Sequence, residues 1–136
     1  MNMKFRLSIL GLLLAGSILL SGYGLVSPND PWPVPEKYQK MPNPVKADAS
    51  SIATGKSLWN KHCVSCHGKT GKGDGTKAAT LKTHPGDFST AEFKSESDGA
   101  VFYKTSEGRK DMPSFKKKIP DQDDIWSLVN YIRTLK

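Results

Sequence analysis

The chain has 136 residues, a formal net charge of +7 and two cysteines. This length suggests one domain with appendages, and a positive charge would by itself admit a nucleic-acid partner. The basic residues are scattered among acidic ones, however, apart from the run Lys116-Lys117-Lys118. No nucleic-acid-binding motif surrounds them, so a solvated, moderately basic surface is the better interpretation.

Residues 1–26 are predicted to be a targeting segment. Lys4 and Arg6 precede an uncharged run over residues 7–26. The core of that run fits the apolar region of a signal peptide, and its full length just suffices to cross about 30 Å of hydrocarbon as a helix. A cleaved signal peptide and a retained membrane anchor are both open. Either way, the rest of the chain is predicted to be periplasmic or on the outer face of the cytoplasmic membrane.

Residues 27–49 contain six of the nine prolines and are predicted to be a linker. Proline fixes φ and removes the N–H donor, so the stretch should be extended. One interpretation is a semi-rigid spacer that holds the following domain off the membrane. The alternative is a wrapped extension, with Trp32 and Tyr38 packed on the domain.

Residues 50–136 are predicted to form an all-α domain of three main helices joined by Gly-rich loops. Ser50 or Ser51 can cap the first helix. The second is expected near residues 98–106, with Gly108 as its stop. Asp121 can cap the third, whose apolar residues recur with helical spacing on one face: Ile125, Leu128, Val129, Ile132 and Leu135.

The pentapeptide Cys63-Val64-Ser65-Cys66-His67 carries the chemistry of the domain. Two thiols three positions apart on a helical turn can each add to a vinyl group of haem, and the next residue supplies an imidazole to the iron. In an exported protein this pattern predicts one covalently attached haem c. A zinc site is disfavoured because a second ligand pair is missing, and a thioredoxin-like motif because no βαβ pattern surrounds it.

Residues 51–136 resemble a small bacterial class I cytochrome c. The attachment motif is followed by Gly68, Gly71 and Gly73-Asp74-Gly75, similar to the H-G-x-x-G-x-G-D-G run of that family. The segment Asp111–Phe115 resembles its sixth-ligand loop, and residues 126–133 resemble its C-terminal helix. The resemblance implies a cytochrome c fold in which the two terminal helices cross, with Gly55 allowing their close approach.

Met112 is the candidate sixth ligand. A thioether favours ferrous iron, so His/Met ligation raises the reduction potential, and Pro113 stiffens the loop that presents the sulfur. His84 would give a bis-His haem, but it stands beside Pro85. The family resemblance implies that the Pro85 carbonyl accepts a hydrogen bond from His67, which makes His84 an exposed loop residue. His62 is expected at the surface or the haem edge.

The Gly-rich segments do not predict a nucleotide site. Gly68-Lys69-Thr70 resembles the end of a P-loop, but the first glycine of that motif would fall on Cys63.

The sequence therefore predicts a single-electron carrier rather than an enzyme, with His67 and Met112 as axial ligands. The alternative is a haem enzyme or small-ligand sensor in which Met112 is displaceable. Lys116, Lys117 and Lys118 follow the Met112 loop closely and are expected to dock acidic redox partners.

Overall fold

The computed structural model describes residues 31–136. Within this range the secondary structure is helical, and a single isolated bridge between Arg109 and Met112 is the only β pairing. The all-α prediction is therefore confirmed. The elements are α1 (Glu36–Gln39), α2 (Ala49–His62), α3 (Val64–His67), a 3₁₀ turn (Ala78–Thr80), α4 (Ala91–Ser95), α5 (Asp98–Glu107) and α6 (Gln122–Ile132).

Helix α2 begins with a capping box formed by Asp48 and Ser51. The Asp48 carboxylate accepts from the Ser51 amide at 3.0 Å, and the Ser51 hydroxyl accepts from the Asp48 amide at 3.2 Å. The prediction that Ser50 or Ser51 caps the helix is thus wrong by two or three residues. Asp48 is the N-cap. Ser51 is the third residue of the helix, and its hydroxyl accepts the hydrogen bond from the Asp48 amide.

Helices α2 and α6 pack against each other and form the centre of the domain. A Cβ atom on Gly55 would lie only 2.1 Å from the Ser127 carbonyl oxygen, so only glycine fits there. Around this crossing lies the apolar core, whose largest fully buried side chains are Trp59, Leu128 and Val129. The family-based expectation about Gly55 describes this contact correctly.

Helix α5 ends at Gly108 and Asp121 caps helix α6, as their sequence signals predict, but Leu135, which is predicted on the apolar face of α6, lies beyond its end at Ile132. Gly108 ends α5 with φ of +68°, and the Asp121 carboxylate accepts from the Asp123 amide at the start of α6. Phe102 of α5 stacks on Trp126 of α6, with ring centroids 4.1 Å apart and an interplanar angle of 13°. This stack fixes the two helices against each other.

The proline-rich segment packs on the domain within its described part. Tyr38 lies against Tyr103, with ring centroids 4.7 Å apart, and Met41 and Val45 pack against the apolar core. These contacts favour the wrapped extension over a detached spacer for these residues. The predicted targeting segment, residues 1–26, lies outside the described residues.

None of the helices found in residues 31–136 has both the length and the apolar character needed to span a bilayer.

Candidate haem-attachment site

The attachment motif forms one helical turn directly after α2. The Cys63 carbonyl accepts hydrogen bonds from the amides of Cys66 and His67, at 3.1 and 2.9 Å. Both cysteines are free thiols, with Cys63 buried and Cys66 half-buried. The turn thus places two unpaired sulfurs and an imidazole on one short stretch of rigid backbone.

The Gly-rich loop folds back on this turn and fixes it. The amides of Gly73 and Gly75 donate to the carbonyls of His67 and Cys66, at 2.9 and 3.2 Å, and the Lys77 amide donates to Ser65 at 2.7 Å. Because the free carbonyls at the end of the turn are satisfied by this loop, the orientation of the motif is set by backbone contacts.

Burial keeps the His67 imidazole neutral. Burial is the largest effect on its pKa, which falls to about 4, and the neighbouring His84 lowers it further. The Pro85 carbonyl acts in the opposite direction and raises the pKa, so it lies against the ring. The His67 Nδ1 atom is buried and forms no hydrogen bond in this conformation. A neutral imidazole is the form that can donate a lone pair to a metal.

The Cys63 thiol is protonated at neutral pH. Burial raises its pKa to about 12, with a smaller contribution from Cys66. Redox-active C-x-x-C motifs lower the pKa of the attacking cysteine to produce a thiolate. The opposite shift here argues against the thioredoxin-like interpretation.

Aromatic side chains surround the His67 ring. The centroid of Phe88 lies 4.8 Å from that of His67, and the centroid of Trp59 lies 5.7 Å away. Phe88 stacks in turn on Phe93 at 4.2 Å. Phe88 is not predicted from the sequence, because it belongs to no helical pattern and nothing in the local sequence signals a contact with His67.

Met112 lies on a tight turn after α5. Its amide and carbonyl exchange two hydrogen bonds with Arg109, at 2.9 and 2.8 Å. The side chain is half-buried and packs against the apolar cluster that includes Cys63. The Asp111 carboxylate accepts from the Thr83 amide at 2.8 Å and so joins this turn to the loop of Pro85.

The other histidines lie where the sequence suggests. His84 is exposed, and its Nδ1 accepts from the Gly86 amide at 3.0 Å. His62 is half-buried against the Phe115 ring, with centroids 5.9 Å apart. Burial, and then Lys61 and Lys118, lower the pKa of His62.

The lysine run divides into different environments. Lys116 pairs with Glu107, and Lys117 is exposed. Lys118 lies over the Phe115 ring, 5.4 Å from its centroid, and lowers the pKa of His62. It is therefore close to the end of α2, beside the attachment turn.

These donors fit haem c better than a bare metal ion. No group of three or more His, Cys, Asp or Glu side chains that could hold an ion occurs within residues 31–136. Two free thiols on one turn, followed by a neutral imidazole, suit a group that is attached through both sulfurs and brings its own equatorial ligands.

Comparisons with known proteins agree with this chemistry. Residues 50–132 match the family described as cytochrome C oxidase, cbb3-type, subunit III. No curated protein matches significantly.

The chain is also similar to solved structures of other proteins. One is the reducing HAO-like protein complex Kustc0457/Kustc0458 of Kuenenia stuttgartiensis, at 31% identity and a TM-score of 0.62. The alignment covers 68% of this chain but only 46% of that one. Another is the KustC0563 c-type cytochrome, at 28% identity and a TM-score of 0.53, covering 60% of this chain and 96% of that one.

The family match spans more than half of the chain and includes the whole attachment motif. The chain therefore belongs to the cytochrome c family described as cbb3-type cytochrome c oxidase subunit III, and it is a small class I c-type cytochrome that binds haem c covalently.

Proposed function

We propose that this protein carries single electrons through one haem c, with His67 and Met112 as axial ligands. Cys63 and Cys66 would attach the group, and its iron would supply the change between ferric and ferrous states. The observation that carries the proposal is the half-buried His67, whose pKa is lowered to about 4, at the end of a turn that holds both free thiols.

The side chains around His67 would tune and insulate the redox centre. The rings of Trp59 and Phe88 pack against the imidazole and would shield that part of it from water, which lowers the local dielectric. The Pro85 carbonyl lies against the ring and is placed to accept the Nδ1 proton, which would hold one tautomer and enrich the ligand in electron density.

Whether Met112 stays bound to the iron distinguishes electron transfer from catalysis. A bound thioether would raise the potential and occupy the position that a small ligand needs. Its half-buried side chain on a hydrogen-bonded turn supports this role. A displaceable Met112 would instead favour a haem enzyme or sensor.

Replacing Met112 tests the ligand set. The oxidised wild-type protein should show the weak Met–Fe(III) charge-transfer band near the red edge of the visible spectrum. Met112→Ala should abolish the band and open the reduced protein to carbon monoxide, while His84→Gln should leave both properties unchanged. Rapid carbon monoxide binding by the reduced wild-type protein would support the sensor or enzyme instead.

The partners are proposed to be other redox proteins with acidic docking surfaces. Lys117 is exposed and Lys118 lies beside the attachment turn, so a partner bound there would be close to the haem. The family description names an oxidase subunit, and one similar structure is a complex. Both a free carrier and a fixed subunit fit these similarities.

The protein is proposed to act outside the cytoplasmic membrane, because haem c and the uncharged run over residues 7–26 both indicate export. N-terminal sequencing of the mature protein from fractionated cells would distinguish a cleaved signal peptide from a retained anchor.

A further inference from the structure

Residues 32–46, here called the N-terminal strap, lie along α5. The Tyr38 ring centroid is 4.7 Å from Tyr103 and 6.5 Å from Phe102. A Cβ atom on Gly99 would lie 1.9 Å from the Tyr38 carbonyl oxygen, so the strap backbone touches the helix where it has no side chain. The strap is therefore fitted to this face of α5.

Hydrogen bonds fix the far end of the strap to α6. The Asn43 amide group donates to the Asn130 side-chain oxygen at 2.8 Å. Asn130, which is buried, donates in return to the Val45 carbonyl at 3.1 Å. Buried polar pairs of this kind specify one arrangement, because separating them leaves unsatisfied groups.

The near end of the strap contacts the base of the Met112 turn. The Trp32 ring lies under two cations, with Arg109 Cζ 5.7 Å and Lys104 Nζ 5.8 Å from its centroid. Arg109 is the residue whose backbone exchanges both hydrogen bonds with Met112. One contact chain thus runs from Trp32 through Arg109 to Met112.

The turn itself contains a backbone conformation that its surroundings must hold. Lys110 adopts φ of +54°, a conformation that costs a non-glycine residue energy. Beyond the Arg109–Met112 bridge, Asp111 accepts from the Thr83 amide, and the Ser114 hydroxyl donates to the Ser106 carbonyl at 2.7 Å. A costly backbone conformation persists only where its surroundings hold it.

We propose that the N-terminal strap positions the sixth ligand: Trp32 holds Arg109, and Tyr38 holds α5, so that Met112 stays at the haem iron. The inference rests on the proposed function, in which Met112 binds iron. Loss of the strap contacts raises the fraction of molecules in which the methionine has left the metal. The strap thereby controls how readily an outside ligand enters.

The experiment compares haem-loaded Trp32→Leu, Trp32→Phe and Tyr38→Leu with the wild type. Two quantities are measured: the pH at which the ferric protein loses its Met–Fe(III) band on alkaline titration, and the rate of carbon monoxide binding to the ferrous protein. Trp32→Leu removes both cation–π contacts and should speed binding roughly fivefold, with the midpoint falling by about 0.7 pH units. Trp32→Phe keeps an aromatic face and should restore most of the wild-type behaviour.

Glu36→Gln is the control, because it breaks only the exposed Lys40–Glu36 pair within the strap and should change neither quantity. Tyr38→Leu tests the second contact independently, should Trp32→Leu fail to load haem. A wild-type protein without the Met–Fe(III) band would overturn the proposed ligation. A wild type with the band, whose Trp32 and Tyr38 variants lose thermal stability but keep the wild-type midpoint and binding rate, would overturn the strap proposal alone.

Discussion

At the scale of single residues, the attachment turn combines two groups whose pKa values shift in opposite directions for the same reason. Burial keeps His67 neutral and Cys63 protonated, because a charged form of either would lose its solvation. A neutral imidazole is the form that binds iron, and a protonated Cys63 places no charge beside a large apolar group. If these two side chains were exposed to solvent, they could ionise more readily and would bring charge and water next to that group.

Asp111 offers a test of how the Met112 turn is joined to the loop that carries Pro85. Its carboxylate accepts from the Thr83 amide at 2.8 Å in an exposed position. We expect Asp111→Ala to lower the free energy of unfolding of the haem-loaded protein by about 1 kcal/mol, measured by denaturant titration. Asp111→Asn keeps an acceptor oxygen and should retain most of this stability. Equal midpoints for the alanine variant and the wild type would show that the bond contributes nothing.

Most of the attachment site could be predicted from the sequence, because its chemistry lies within five consecutive residues. The spacing of Cys63, Cys66 and His67 by itself places them on one turn. The contact of Phe88 with His67 joins residues 21 positions apart through a loop without periodicity, so no local pattern signals it. The binding of iron by Met112 stays a prediction.

At the scale of secondary-structure elements, the crossing of α2 and α6 is the contact on which the domain depends. The two helix backbones approach closely at Gly55, and the buried side chains of Trp59 and Leu128 lie at the same interface. Gly55→Ala should lower the free energy of unfolding by about 3 kcal/mol, because its Cβ would meet the backbone oxygen of Ser127, which cannot rotate away.

The matched control for Gly55→Ala is Lys56→Ala on the exposed side of the same helix, where a change within about 0.5 kcal/mol is expected. Both variants are measured by denaturant unfolding, with the haem absorption as signal. If Gly55→Ala unfolds at the wild-type denaturant concentration, the helices can separate at no cost and the crossing is not essential.

The existence and type of the main helices follow from sequence signals, whereas the exact start of α2 does not. Asp48, Ser50 and Ser51 are all good caps, and local sequence does not rank them. Tertiary contacts decide: the Ser51 hydroxyl donates to the Lys46 carbonyl at 2.7 Å and accepts from Asn130 at 3.2 Å. Those bonds hold Ser51 inside the helix, which leaves Asp48 as the cap.

At the scale of the whole molecule, composition alone misleads about the proline-rich segment. Proline content predicts an extended backbone, but it does not predict whether that backbone is solvated or packed. The prediction of an extended backbone is wrong for Glu36–Gln39, which form the helical turn α1. The strap side chains Tyr38, Met41 and Val45 contact the core, so the segment covers the domain. This packing depends on the face of α5 that contacts the strap, and α5 lies more than 50 residues away in the sequence.

The charge of the molecule leads to the last prediction, which concerns association with redox partners. Residues 50–136 contain thirteen Lys and two Arg against ten Asp and Glu, and the lysine run adjoins the Met112 turn. If the run steers an acidic partner, association should slow steeply as salt shortens the Debye length, which is about 10 Å at 0.1 M. The triple variant Lys116→Gln, Lys117→Gln, Lys118→Gln should lower the association rate about tenfold at low salt. Its salt dependence should also be flatter than that of the wild type.

The pairing of Lys116 with Glu107 refines this test. Glu107 already offsets part of the charge of Lys116, so Lys117→Gln with Lys118→Gln should account for most of the loss. The control for the triple variant removes the same three charges at exposed lysines elsewhere: Lys46→Gln, Lys56→Gln and Lys136→Gln. Stopped-flow electron transfer to an acidic partner protein, measured over a range of ionic strengths, gives the rates. If the control flattens the salt dependence as much as the lysine-run variant does, net charge alone drives association. The lysine run would then not be a docking site, while the assignment as an electron carrier would stand.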